Sequence, residues 1–245
     1  MRNYLTFNGK DLREYGVYIS GSGRVTIPEK AFNFQTIPGR NGDLIVGNTT
    51  IPNEVISYPA FIAPYNDSGV WRSFTEMAQR LRGFLMSVKG YAELRDTYDP
   101  RHYRLACFTG PTEFEVTPQL DAGNFELEFN CKPQRYLVEQ NEIIDLAAGE
   151  SATIERCGYY YAEPLISVTG TGSFTVGETT VTIAENGLTA PIIIDCRLLE
   201  CYDSAGQNAN RYVSFSDYEF PEVADGTVIN AGDVALSIDP RWFEL

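Results

Sequence analysis

The chain has 245 residues, of which 33 are acidic and 19 basic, for a formal net charge of −14. A chain this acidic, with no block of Lys and Arg, is a poor partner for nucleic-acid phosphates, and no apolar run approaches the ~20 residues of a membrane-spanning helix. Its length can bury one large core or two ordinary ones. The opening, Met1 to Phe7, carries no apolar signal segment, so synthesis and folding in a cytoplasm are expected.

Aromatic and β-branched residues dominate, and Gly, Pro, Asn and Asp interrupt them at short intervals, which predicts many short strands. From the N-terminus, Phe7-Asn8-Gly9-Lys10-Asp11-Leu12 reads as a short strand opening. Next, Phe32-Asn33-Phe34 and Asp43-Leu44-Ile45-Val46 flank Gly39-Arg40-Asn41-Gly42-Asp43, whose Asn-Gly pair predicts a tight hairpin. It is either a plain hairpin tip or an arm reaching a neighbouring subunit. In the second case Arg40, Asn41, Gly42 and Asp43 are candidate interface residues.

One helix is predicted, over Val70–Leu85. Val70, Phe74, Met77, Ala78, Leu81 and Leu85 recur at three- and four-residue steps, with candidate caps at Asn66-Asp67-Ser68 and a turn at Gly90. Its stripe is expected to pack on a sheet. Asp99-Pro100 predicts a turn into a strand from Arg101 to Phe108, and Phe125 to Cys131 alternates apolar and polar residues like a half-buried strand. That strand is expected to end at Cys131, before Lys132-Pro133.

A boundary is expected near residue 140, where a polar stretch, Glu139-Gln140-Asn141-Glu142, precedes a shift toward Thr, Gly and Ala. The chain therefore reads as mainly β, in two domains: an α+β domain over 1–139 with one helix on a sheet, and a small β-sandwich over 140–245. Within the second, strands are predicted over Thr175–Ile183 and Pro191–Cys196, with Gly170-Thr171-Gly172-Ser173 as a turn.

Few residues point to chemistry. His102 is the single histidine, so any Ser-His-Asp or Cys-His arrangement would need it; in a strand it reads as structural. The five cysteines (Cys107, Cys131, Cys157, Cys196, Cys201) form no CxxC pair and read as buried thiols. Glu126 and Glu128 share the polar face of one strand, as an acid–base pair or ordinary solvated surface would. The Gly170-x-Gly172 pattern has no helix after it to cradle a phosphate. No cofactor, metal or catalytic residue is expected.

The order of several motifs is more specific. Phe7-Asn8-Gly9-Lys10-Asp11-Leu12, then Pro38-Gly39-Arg40-Asn41-Gly42, the helix, Gly90-Tyr91-Ala92-Glu93-Leu94, Asp99-Pro100 with Tyr103, Gly123-Asn124-Phe125 to Phe129-Asn130-Cys131-Lys132-Pro133, Phe220-Pro221, and Asp239-Pro240-Arg241-Trp242 follow one another. This order resembles the distal tail protein (Dit) family of long-tailed, non-contractile phages. The resemblance implies a structural, non-enzymatic virion protein of the tail tip. Its N-terminal domain would form a homo-oligomeric ring, typically a hexamer, and its C-terminal sandwich would be galectin-like or like a carbohydrate module. The ring would join the tail tube protein to the tail fibre or tail-associated lysin hub and often carry receptor-binding proteins. DNA would pass through its lumen without specific binding, an acidic wall repelling phosphate. Two other readings stand beside it: a glycan-binding adhesion module at the host surface, for which Trp242 is the candidate stacking residue, and a cell-wall hydrolase.

Overall fold

The computed structural model describes residues 2–21, 27–47, 51–63, 72–110, 112–117, 121–138, 143–155, 161–185, 187 and 190–245. Two compact units divide the chain, 1–138 (with Leu245) and 139–244.

In the first unit six strands pair antiparallel in the order Leu5–Phe7, Ala92–Asp96, His102–Phe108, Ala122–Leu137, Glu54–Ile62 and Val17–Ile19. The row then returns to its start. Ile19 N–H donates to the Asn3 carbonyl at 3.0 Å, just ahead of the first strand. The sheet thus closes on itself, which removes the open edges a flat sheet would expose. Alternate residues point inward: Leu5, Phe7, Val17, Ile19, Tyr58, Ala60, Ile62, Leu94, Leu127 and Phe129 form one buried core.

The α-helix α1 (Phe74–Ser87) adds its stripe to that core through Phe74, Met77, Leu81 and Leu85. The 14-residue helix starts four residues later than its apolar spacing suggests. Ser73 is the cap, its hydroxyl accepting from Glu76 N–H at 3.3 Å, so Ser73-Phe74-Thr75-Glu76 has the spacing of a capping box. The expected caps Asn66, Asp67 and Ser68, with Val70 and Trp71, lie outside the described residues. Gly90, with φ 76°, does turn the chain after the helix.

The strand expected to stop at Cys131 runs on to Leu137. Proline has no N–H to give a ladder and belongs at a strand edge or a bulge. Here the register shifts between Cys131 and Arg135, leaving Lys132, Pro133 and Gln134 opposite Leu105. The bulge absorbs Pro133 and the strand continues. The strand after the Asp99-Pro100 turn runs from His102 to Phe108, starting one residue later than expected.

In the second unit two five-stranded antiparallel sheets form a sandwich. One is ordered Ile144–Leu146, Ala235–Asp239, Leu165–Thr169, Ile192–Asp195, Glu200–Asp203; the other Ser151–Thr153, Val228–Asn230, Gly172–Val176, Thr179–Ile183, Val213–Phe215. Ile166, Val168, Ile194 and Ile238 are buried from the first, and Phe174, Val176, Val181, Ile183 and Ile229 from the second. The single strand expected over Thr175–Ile183 is instead a hairpin, with Val176 opposite Thr179 across Gly177-Glu178.

Candidate functional site

Val17–Ile19 and Glu54–Ile62 are neighbours in the closed sheet, and Ser20 N–H still donates to Pro59 O at 2.8 Å. A turn of two to five residues would join such strands. The chain instead leaves for residues 21–53 and builds a separate two-stranded ribbon, Phe34–Thr36 against Asp43–Ile45. Val46 N–H donates to Asn33 O at 2.9 Å, and Thr36 Oγ1 donates to Asp43 Oδ1 at 2.8 Å.

The turn is not the tight Asn-Gly one. Thr36 faces Asp43, so residues 37–42 form the loop. Arg40 N–H donates to Ile37 O at 3.1 Å around Pro38 and Gly39, and Gly39 has φ 81°. Proline then glycine with positive φ is the signature of a type II turn. Pro38-Gly39 therefore takes the reversal, and Asn41-Gly42 leads into the returning strand.

Every residue from 29 to 47 except Ile37 is exposed, although the ribbon is rich in apolar side chains. Phe34 is 64% exposed and Ile45, opposite it, 52%; Phe32, Leu44 and Val46 are also exposed. An isolated two-stranded hairpin is at best marginally stable in water, and a contiguous exposed apolar patch marks an interaction surface. The ribbon is thus an arm with the character of a docking element. The sequence-predicted residues Arg40, Asn41, Gly42 and Asp43 lie together at its end, all exposed.

An open groove of about 760 Å³ lies on the outer side of the same unit, with Pro59, Phe61, Glu113, Glu115, Glu126 and Glu128 among its lining. Pairing builds it: Glu126 stands opposite Pro59, Asn124 opposite both Phe61 and Glu115. Glu126 and Glu128 show in the sequence as one strand face. Their meeting with Glu113 and Glu115 depends on the return pairing of Glu115–Thr117, which no local spacing signals.

The other candidates are structural in their setting. His102 is 5% exposed, and its Nδ1 lies 2.9 Å from Asp99 Oδ2, which Arg135 also holds. Burial pushes the Asp99 carboxyl up, but hydrogen bonds and charge from His102 and Arg135 outweigh it and hold the pKa below its ordinary value. Trp242 is 4% exposed, paired with Ala162, so its ring offers no open platform for a sugar. Cys131, Cys196 and Cys201 are buried free thiols, and burial pushes each up to about 12; Cys157 lies outside the described residues. Among the described residues no cluster of three His, Cys, Asp or Glu is placed to hold a metal ion, and no helix is long and apolar enough to cross a membrane.

Residues 10–131 match the family of the phage tail protein RIFT-related domain. No curated protein matches the chain in sequence. Among solved structures, the SPP1 Dit (gp 19.1) protein, described as a paradigm of the hub adsorption apparatus in phages infecting Gram-positive bacteria, superposes with a TM-score of 0.65. Its identity is 14%, with 100% of this chain and 99% of that one covered. A chain of the phage P2 baseplate, in its activated conformation with Ca, gives 0.60 at 11% identity, covering 97% and 98%; the same baseplate with Sr gives 0.58 at 10%, covering 96% and 97%. The fold is therefore that of the phage tail hub proteins along the whole chain. Residues 10–131 thus match the phage tail protein RIFT-related domain, and this match and the shared fold together support recognition of the chain as a siphophage distal tail protein.

Proposed function

We propose that the protein is a structural ring subunit of the tail tip, whose first unit assembles with copies of itself, in six by family resemblance, and whose second unit is a β-sandwich. The ring joins the tail tube to the fibre or lysin hub and carries receptor-binding proteins. The observation that carries this reading is the exposed apolar arm inserted in the first unit, within a chain whose full length has the fold of a hub protein. A closed ring of identical subunits needs two unlike surfaces on each copy, and an arm with no partner of its own supplies one. The net charge of −14 suits a lumen that lets DNA slide without adhering. Negative-stain electron microscopy of the purified chain tests the reading. Closed rings of uniform diameter are expected; single particles at every concentration, with no rings, would overturn it.

A further inference from the structure

We infer that the arm's seat is the carboxylate-lined groove of a second copy of this chain, with Arg40 placed against Glu113, Glu115, Glu126 and Glu128. The inference rests on the ring reading and names the surface that the arm meets.

The groove and the arm complement each other in shape of chemistry. Pro59 and Phe61 give the groove an apolar floor, and its rim carries four carboxylates. None of those four forms an ion pair among the described residues, and neither do the two cations of the exposed ribbon, Lys30 and Arg40. Four like charges around one concavity repel one another, and a guanidinium brought among them relieves that repulsion while donating bidentate hydrogen bonds to their carboxylates. The ribbon's Phe34, Leu44 and Ile45 are the apolar counterpart of the floor.

The seat lies on a neighbour and not in the same subunit. The arm leaves from Ser20, which lines the groove, yet residues 38–47 are all exposed, so the arm's end is not buried in its own subunit. Arm and groove are different surfaces of one unit, which is the arrangement a head-to-tail ring uses. Asn124, Glu126 and Glu128 of the groove lie on the face of Ala122–Leu137 that points away from the core.

Charge exchange in the full-length chain tests this, with assembly followed by sedimentation velocity across a concentration series and folding by circular dichroism. Arg40→Glu and Glu126→Lys are each expected to raise the concentration of half-assembly by roughly tenfold, and the two together to bring it back toward the wild-type value. Should Glu126→Lys disturb the fold, Glu115→Lys makes the same test on the opposite wall. If Arg40→Glu weakens assembly while neither groove variant does, the groove is not the seat, and the ring reading survives without it. If the wild-type chain never assembles, the ring reading fails and this inference with it.

Discussion

Arg241 grips Asp195 across the second unit: Nη2 donates to Oδ1 at 2.8 Å and Nη1 to Oδ2 at 3.3 Å, with the two side chains only 9% and 6% exposed. Asp195 also accepts from the N–H groups of Arg197 and Leu198, so one carboxylate anchors the turn after Ile192–Asp195 to the segment entering the final strand. Removing one member of a buried pair strands the other charge. Asp195→Ala should therefore cost about 3–5 kcal/mol in a urea titration. Replacing both residues with apolar ones of similar volume should cost much less.

The same pair sets an acid limit. Burial pushes the Asp195 carboxyl up, but the hydrogen bond from Arg241, the Leu198 N–H and the charges of Arg241 and Arg197 hold it below its ordinary value. A carboxylate whose folded pKa is depressed stabilises the fold above its unfolded value of about 3.9, and that contribution is lost as pH falls through the folded value. Asp99 adds to the loss with the same sign. Denaturant titrations from neutral pH downward should show stability falling below about pH 4, and less steeply in Asp195→Asn.

Gly123 lies close beneath the Phe74 ring of the helix. A Cβ on Gly123 would stand 2.6 Å from the Phe74 ring, and that ring is already packed edge-on to Phe114 at 5.6 Å. Gly123→Ala should cost about 1–3 kcal/mol through overpacking. Leu81→Ala, which empties a fully buried site on the same helix, should cost about 2–5 kcal/mol. Guanidinium titrations of both variants check these values, and a loss near zero at Leu81 would mean that the helix is not part of the core.

Thiol reactivity should follow burial. Cys107 is half-buried, whereas Cys131, Cys196 and Cys201 are buried and pushed up to about 12. The thiolate is the species that reacts. Timed alkylation of the folded chain at neutral pH, read by peptide mass, should modify Cys107 well before these three. Equal rates would mean that the cores open on the experimental timescale.

Shortening the arm by removing residues 37–42 should leave the far-ultraviolet spectrum and thermal midpoint of the single chain nearly unchanged. The arm's exposed side chains add little to the subunit's own core. The same variant should remain monomeric by light scattering. Assemblies of wild-type mass would show that another surface closes the ring.

Much of this architecture could be read locally, and the failures have physical causes. The helix stripe from Phe74 to Leu85 shows in the spacing, but Ser73-Phe74-Thr75-Glu76 sits within the apolar run and is easily passed over as a start. The hairpin around Gly177-Glu178 is visible in retrospect. Buried residues switch from even positions, Phe174 and Val176, to odd ones, Val181 and Ile183, as they do when a two-residue turn brings strands together on one face. Pro133 looks like a stop because a bulge depends on the partner strand, and the partner is not adjacent in sequence. Closure through Asn3 and Ile19, and the meeting of Glu115 with Asn124, are long-range pairings with no local trace. The hairpin near Arg40 to Asp43 was legible, but its turn falls at Pro38-Gly39 and not at Asn41-Gly42, and the exposure of these residues was not legible at all. Exposure is a statement about everything the rest of the chain fails to cover.

The excursion between Ile19 and Glu54 also separates two kinds of inheritance. Changes in the wall of the closed sheet must be accommodated by partners on both sides, so they are slow to accumulate. Changes between residues 27 and 47, exposed except for Pro28 and Ile37, meet little of that test inside the subunit and, on the proposed ring reading, answer to whatever the arm grips. Arm and grip can therefore drift together, lengthening, shortening or trading charge, while the scaffold that presents them stays as it is. Incompatibility between related assemblies should arise at this one connection first, and mixed populations of two such subunits would sort themselves by arm.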